Sequence, residues 1–156
     1  MKRREAIVVL GALGALPLSR PAVRRRRSER VKKEVKTDKA PQAIGPYSQG
    51  IIANGFLFCS GQIPIVPETG ALLTGPIEEQ TRQVLKNLAA ILAAAGRTFD
   101  DVVKCSVFLQ NMDDFAAMNK VYGEFFKTPY PSRAAVQVAR LPKDVKVEIE
   151  AIAALD

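Results

Sequence analysis

The chain has 156 residues, of which 47% are hydrophobic and 25% charged, so it is long enough for one domain with a sizeable core. It contains no histidine, which removes the commonest general base near neutral pH and the commonest zinc ligand. The formal charge of +7 is concentrated in residues 1–34, which carry +8, whereas residues 35–156 carry −1. A nearly neutral body argues against nucleic acid as its partner.

Residues 1–34 form a basic N-terminal arm that we separate from a domain spanning residues 35–156. Residues 2–4 are basic and precede an apolar run over residues 6–16, which is the layout of a secretory signal. The run is too short to cross a bilayer, which needs about 20 apolar residues. The arginine-rich composition also fits an organellar transit peptide, an unstructured tail or a functional basic arm. We expect a cytoplasmic protein without a membrane span, with organelle targeting or export through the arm as alternatives.

The predicted elements begin with a β-hairpin. Ser48–Ala53 and Phe56–Ser60 have the composition of strands, and the two-residue turn Asn54-Gly55 joins them. A helix is predicted over Ile77–Ala95, because apolar residues recur there at helical spacing. Gly96 is well placed to end this helix.

The next predicted element is a strand over Val102–Leu109, where β-branched residues alternate. One face of this strand would carry Val103, Cys105, Val107 and Leu109. Cys105 and Cys59 lie in separate apolar runs without CxxC spacing. We therefore predict two buried, reduced thiols rather than a disulfide or a metal site.

A second helix and two strands complete the predicted body. Asp113 or Asp114 would cap the helix, and its apolar stripe comprises Phe115, Met118, Val121, Tyr122 and Phe125. The prolines that follow would stop it, and the strands span Arg133–Ala139 and Val145–Leu155. This order of elements predicts an α+β fold with one sheet and two helices on one face.

The last strand carries two carboxylates on one face. Strand pleating sends Glu148 and Glu150 of "KVEIEAIAAL" to one side and the intervening apolar residues to the other. One face would then pack under the helices. A carboxylate among apolar strand residues needs a cation, a hydrogen-bond partner or a proton, because burying an unpaired charge is severely unfavourable.

Two interpretations of these carboxylates remain open from the pattern alone. In the first, Glu148 and Glu150 face water or pair with the cations of neighbouring segments, which are Arg133, Arg140 and Lys146. In the second, Arg133 keeps its planar fork free for a ligand carboxylate, while Glu148 handles a proton or a water molecule.

Four segments resemble the RidA (YjgF) family of small imine deaminases: "APQAIGPYSQG", "SGQIP", "DDFAAMNKVYGEFF" and "YPSRAAVQVARLPKDVKVEIEAIA". The resemblance runs from about Val35 to Ala153. It implies a chorismate-mutase-like α+β fold and a homotrimer with active sites between subunits. It also implies hydrolysis of 2-aminoacrylate, 2-iminopropanoate and 2-iminobutanoate to 2-oxo acids and ammonia, a metabolite damage-control activity that needs no cofactor and no metal.

The same resemblance implies roles for five residues. Arg133 matches the arginine that binds the substrate carboxylate, and Glu148 matches the glutamate that positions the attacking water. Tyr47, Ser60 and Asn119 match residues that contact the ligand or line the cleft. Two other functions remain as alternatives: a non-catalytic trimer that binds carboxylates or other proteins, and a nuclease or translation inhibitor.

Overall fold

The computed structural model describes residues 32–155, so most predictions for the N-terminal arm lie outside the described residues. One six-stranded sheet has the strand order β1-β2-β3-β6-β4-β5. Its strands are β1 Lys33–Val35, β2 Gly50–Ala53, β3 Phe56–Gln62, β4 Val102–Leu109, β5 Ser132–Gln137 and β6 Val147–Ala154. The α-helices are α1 Ile77–Ala94 and α2 Phe115–Tyr122. The predicted α+β class with a mixed sheet is confirmed, because β4 and β5 run parallel while the other neighbours are antiparallel. Strand β1 includes Lys33 and Glu34, two residues that the sequence analysis assigned to the N-terminal arm.

The predicted hairpin is confirmed as β2 and β3. Asn54 and Gly55 form its turn with φ values of 52° and 78°, the positive range that a tight turn between twisted strands requires. Strand β3 continues to Gln62, two residues beyond its predicted end.

Helix α1 confirms the predicted apolar stripe, with Leu85, Leu88 and Ile91 fully buried. Gly96 ends the helix as predicted, with φ at 70°. The N–H of Gly96 donates to the carbonyl of Ala93, and the N–H of Arg97 donates to that of Leu92, both at 2.9 Å. These bonds satisfy carbonyls that the end of a helix leaves unpaired.

Strand β4 departs from the predicted alternation at its start. Val102 and Lys104 pair with successive residues of β6, so Val103 is an extra residue and forms a β-bulge. Val102 is therefore buried and Val103 exposed, which corrects the prediction that Val103 shares the buried face of Cys105. A strict two-residue period cannot anticipate an inserted residue.

Helix α2 begins and ends differently from the prediction. Asn111 is the capping residue, since its Oδ1 accepts a hydrogen bond from the N–H of Asp113 at 3.0 Å. A short 3-10 turn then leads into α2, whose own first residue follows Asp114 without a side-chain cap. The helix ends at Tyr122, and Phe125 lies in the turn beyond it. The cap lies earlier than predicted because the 3-10 turn begins the helical segment at Met112. The N–H groups that need a capping partner are therefore those of the turn and not those of α2.

One face of the sheet packs against both helices, as predicted. Strand β6 places Val147, Ile149 and Ala153 on that face, where they are fully buried, and Glu148 and Glu150 on the other. Cys59 and Cys105 are buried free thiols, which confirms the prediction. Burial raises the pKa of Cys59 to about 12, so this thiol stays protonated.

The face opposite the helices is open and partly apolar. It carries the exposed side chains of Phe56, Phe58 and Val136. Because a large exposed apolar surface is unusual on a monomeric protein, this face has the character of an interaction surface.

Candidate active site

Arg133 lies in a cleft of about 440 Å³ beside the edge strand β5. The residues that line this arginine cleft are Asn119, Tyr122, Gly123, Tyr130, Pro131 and Arg133. Arg133 pairs with Cys105 of β4 and therefore shares its side of the sheet, the side of the helices. Asn119 and Tyr122 are three residues apart on α2 and so lie on the same face of that helix. The structure thus brings two of the predicted residues, Arg133 and Asn119, into one cleft.

An aromatic shelf holds the Arg133 guanidinium. Its Cζ lies 4.5 Å from the ring centroid of Tyr122 and 5.7 Å from that of Phe115. The Tyr122 ring in turn stacks on Phe126, with centroids 4.2 Å apart and planes inclined by 20°. Stacking uses the flat face of a guanidinium and leaves the N–H groups in its plane free to donate.

The Tyr122 hydroxyl lies beside the Cys105 thiol and the Arg133 guanidinium. Burial raises the pKa of this hydroxyl, so it stays neutral. It has no hydrogen-bond partner within residues 32–155. In the same residues Arg133 makes no salt bridge, and the fork of its guanidinium remains available for an anion.

Glu148 lies in a second cleft of about 430 Å³ on the open face of the sheet. The residues that line this glutamate cleft are Ile44, Tyr47, Ser60, Gly61, Ile63, Pro142, Glu148 and Glu150. Three of the predicted site residues, Tyr47, Ser60 and Glu148, therefore meet here. The Ser60 hydroxyl donates to the carbonyl of Ser48 at 2.7 Å, which fixes its orientation and leaves its lone pairs to accept.

A β-bulge in β3 shapes the floor of the glutamate cleft. Ser60 and Gly61 lie between positions that pair with β6, where only Glu150 lies opposite them. Gly61 allows the Glu148 side chain to lie against the bulge. A Cβ at position 61 would be 2.9 Å from Cδ and 3.2 Å from Cγ of Glu148, closer than ordinary carbon contacts.

The Glu148 carboxyl is half-buried, and its pKa is raised, first by burial and second by the negative charge of Glu150. Neither glutamate makes a salt bridge within the described part of the chain, and Arg140 pairs with Asp144 at 2.6 Å instead. Within residues 32–155 the structure therefore does not pair Glu148 or Glu150 with a neighbouring cation. A carboxylate with a raised pKa is a stronger base than an ordinary one, which suits proton transfer to and from water.

Arg133 and Glu148 project from opposite faces of the sheet. Strand β4 lies between β5 and β6. Arg133 of β5 pairs with Cys105 of β4, whereas Glu148 of β6 pairs with Phe108, three residues further along β4. From standard strand geometry their Cα atoms are roughly 14 Å apart. A single chain therefore divides the predicted site residues between two clefts.

The structure adds two residues that the sequence analysis did not assign to the site. Tyr122 was predicted only as part of a helix stripe, although its spacing from Asn119 places both on one helix face. Gly61 belongs to the quoted "SGQIP" segment, and a glycine inside a strand is a signal of a bulge or a close approach. Both signals were present in the sequence.

Neither a metal cluster nor a membrane helix is found in the described residues. Residues 32–155 contain no group of three or more His, Cys, Asp or Glu placed to hold a metal ion. No helix in that range is long and apolar enough to span a bilayer.

Comparisons with known proteins agree over the whole described domain. Residues 37–155 match the family described as endoribonuclease L-PSP. A RutC family protein of Pyrococcus horikoshii is 57% identical over 123 residues, covering 79% of this chain and 98% of that protein. Reactive Intermediate Deaminase A, chloroplastic, of Arabidopsis thaliana is 48% identical over 126 residues, covering 80% of this chain and 67% of that protein.

A solved structure gives the same answer for the fold. The crystal structure of Escherichia coli TdcF with bound serine aligns with a TM-score of 0.76 and 48% identity, covering 80% of this chain and 99% of that one. With matches of this extent in sequence and in structure, the chain belongs to the endoribonuclease L-PSP family, which is the RidA (YjgF) family.

Proposed function

We propose that this protein hydrolyses reactive 2-imino acids, and the enamines in equilibrium with them, to 2-oxo acids and ammonia. The proposed substrates are 2-iminopropanoate with its tautomer 2-aminoacrylate, and 2-iminobutanoate. One observation carries the proposal: Arg133 and Glu148, opposite in charge, each face a cleft, and neither has a counter-ion within residues 32–155. The Arabidopsis relative named Reactive Intermediate Deaminase A supports the reaction class.

In the proposed mechanism the protein binds the substrate and activates water. The fork of Arg133 holds the substrate carboxylate through paired N–H bonds, while Tyr47, Ser60 and Asn119 contact the rest of the molecule. Glu148 accepts a proton from water as the oxygen attacks the imine carbon, and the proton passes to the imine nitrogen. The hydroxyl proton of the resulting carbinolamine then passes to its nitrogen through Glu148, and the C–N bond breaks to release ammonia and leave the 2-oxo acid. Every atom comes from substrate and water, so the reaction needs no cofactor.

Assembly is part of the proposal, because one chain keeps Arg133 and Glu148 too far apart for a substrate of three or four carbons. We place each active site between two copies of a homotrimer, with Arg133 from one copy and Glu148 from the next. The exposed apolar side chains of Phe56, Phe58 and Val136 on the open face support such an interface. Each subunit would then contribute an arginine cleft to one site and a glutamate cleft to another.

The activity is tested by generating the imines in place with a pyridoxal-dependent serine or threonine dehydratase. We expect the protein to accelerate ammonia release and to lower the initial rate of semicarbazone formation, because the imine reacts with semicarbazide faster than the 2-oxo acid does. Arg133→Ala and Glu148→Gln should each abolish the acceleration while keeping a cooperative thermal transition. Ammonia release at the uncatalysed rate with wild-type protein would remove the proposed function.

A mixing experiment tests the division of the site between copies. When Arg133→Ala and Glu148→Gln chains are refolded together in equal amounts, random assembly gives about one quarter of the sites an intact pair of residues. We expect activity near that fraction of wild type, although each variant alone is inactive. No recovery in mixed trimers of verified composition would place both residues of a site in one chain.

A second candidate function is RNA cleavage, favoured by the description of the matching family as endoribonuclease L-PSP. The net charge of −1 on residues 35–156 provides no attraction for phosphates, so only the basic arm could supply it. RNA affinity measured against salt, with and without residues 1–32, separates the two functions and leaves β1 in place. Cleavage by the truncated protein at physiological salt would favour the nuclease.

We also propose that the residues before β1, 1–32, are an arm separate from the domain and that the protein is cytoplasmic. Lys33 and Glu34, which the sequence analysis assigned to the arm, pair with β2 and belong to the domain. Organelle targeting or export through the arm are the alternatives, and one plant relative carries the word chloroplastic in its name. N-terminal sequencing of protein isolated from cell fractions tests both points. An intact arm in the cytoplasmic fraction is the expected result.

A further inference from the structure

We infer that Gln49 is a positioning residue for the deaminase reaction: its buried amide fixes the segment of residues 36–48 so that Ile44 and Tyr47 form one wall of the glutamate cleft. This inference rests on the proposed function. Gln49 itself lies outside the residues that line the glutamate cleft, so it acts through its neighbours.

The amide of Gln49 is enclosed by backbone groups of this segment. Gln49 is 3% exposed. Its Oε1 accepts a hydrogen bond from the N–H of Thr37 at 2.7 Å. Its Nε2 donates to the carbonyls of Thr37 at 2.9 Å, Ala40 at 3.1 Å and Pro41 at 2.8 Å. One side chain therefore satisfies four backbone groups.

The main chain of Gln49 ties this cluster to the sheet. Its carbonyl accepts a hydrogen bond from the N–H of Ser60 at 2.9 Å, at the bulge of β3. Gln42, a residue of the segment itself, also donates a hydrogen bond to the Thr37 carbonyl, at 3.1 Å. This side chain is exposed, so water competes for the same groups. The buried bonds of Gln49 are thus stronger restraints on the segment than the exposed bond of Gln42.

The segment needs such a restraint because it contains no helix or strand between β1 and β2. Ile44 is 74% exposed and Tyr47 is 49% exposed, so core packing cannot fix either side chain. Their positions beside Glu148 must follow from the backbone. A backbone shift of about 1 Å at a substrate-positioning residue can cost on the order of 100-fold in rate.

Two substitutions that keep the approximate shape of Gln49 distinguish the effect of its hydrogen bonds from the effect of its side-chain volume. Gln49→Met keeps the length and removes both kinds of bond. Gln49→Glu keeps an acceptor for Thr37 but turns a carboxylate oxygen toward three carbonyls. The matched control is Gln80→Met, because Gln80 is also 3% exposed and bonds the carbonyl of Gly75 at 2.9 Å and the N–H of Lys146 at 3.0 Å. Gln80 lines neither cleft.

We expect both Gln49 variants to raise amide hydrogen exchange selectively over residues 36–48 and to raise KM for 2-iminobutanoate at least about tenfold. Gln80→Met should lower Tm without either effect. In a Tyr47→Ala background the KM effect of Gln49→Met should shrink, because the wall it positions is already damaged.

The outcomes separate this inference from the function on which it rests. Exchange does not depend on activity, so unchanged exchange over residues 36–48 in both Gln49 variants would overturn the positioning by itself. Raised exchange with an unchanged KM would overturn it too, and so would equal effects of Gln80→Met. Wild-type protein without deaminase activity would instead remove the proposed function, together with the catalytic part of this inference.

Discussion

Gly61 and Glu148 are so close that a side chain at position 61 would displace the Glu148 carboxylate. A Cβ at position 61 would come within 2.9 Å of the Glu148 Cδ, and real Cβ atoms essentially never approach another heavy atom so closely. The bulge of β3 therefore determines where the Glu148 carboxylate can lie.

Gly61→Ala should move the Glu148 carboxylate and lower kcat/KM by about 100-fold, because the proposed base would no longer face the attacking water. Gly75→Ala is the matched control, since its Cβ would likewise meet a glutamate carboxylate, that of Glu79, and Gly75 lines neither cleft. Steady-state kinetics and a thermal melt of both variants provide the measurement. Equal activity of the two variants would mean that the Gly61 contact does not position Glu148.

Arg133→Lys should retain only a small part of the activity of the wild type. Lysine keeps the positive charge but cannot present the planar fork or stack on Tyr122. We expect kcat/KM to fall by about 100-fold, mostly through a higher KM, because the lost hydrogen bonds are those to the substrate carboxylate. Arg140→Ala is the control, because Arg140 is exposed and pairs with Asp144 outside both clefts. A lysine variant with wild-type KM would contradict bidentate binding.

The activity should fall at acidic pH, where the carboxylate of Glu148 becomes protonated and can no longer act as a base. The pKa of Glu148 is raised above its ordinary value of 4.5, so the acidic limb of the kcat/KM profile should lie above that pH. Because the second cause of the shift is the charge of Glu150, Glu150→Gln should move the limb to lower pH. A limb that stays in place would show that burial alone sets this pKa.

The same shift affects stability, and its sign can be stated. A carboxyl with a higher pKa in the folded state binds its proton more tightly there than in the unfolded chain. The stability that it contributes is present below the unfolded pKa and is lost as the pH rises through the folded pKa. Glu148→Gln should therefore flatten the pH dependence of Tm in the window just above pH 4.5.

Tyr122 should support Arg133 through its ring rather than its hydroxyl. Tyr122→Phe keeps the stacked ring, and the hydroxyl it removes has no partner within residues 32–155, so activity should stay within about twofold of wild type. Tyr122→Leu removes the shelf and should raise KM by about 2- to 30-fold, the range expected for a lost cation–π contact. Equal losses in both variants would instead assign the effect to the hydroxyl.

Regular patterns in the sequence were sufficient to predict the elements that carry the site. The alternation of Glu148 with buried neighbours in β6 and the apolar stripe of α1 both reflect single, uninterrupted periods. Asn54-Gly55 and Gly96 were predicted correctly because each backbone conformation with positive φ favours a small set of residue types.

What the sequence could not predict depends on neighbouring strands. The bulge at Val103 arises from mismatched residue counts in paired strands, and no local pattern records the partner's count. Gly61 signals the second bulge, but its register depends on the pairing of β3 with β6. The opposite orientation of Arg133 and Glu148 likewise depends on the register of β5 against β4. The roles of these two residues came from resemblance, and the structure adds the geometry by which those roles can be tested.

The opposite orientation of Arg133 and Glu148 implies that activity depends on subunit association. If the active site lies between copies as we propose, a newly made subunit should be inert until it associates, and specific activity should fall on dilution once trimers dissociate. One defective subunit in a mixed ring would disable two of the three sites when it lacks both residues, so such a variant would suppress the activity of its normal partners.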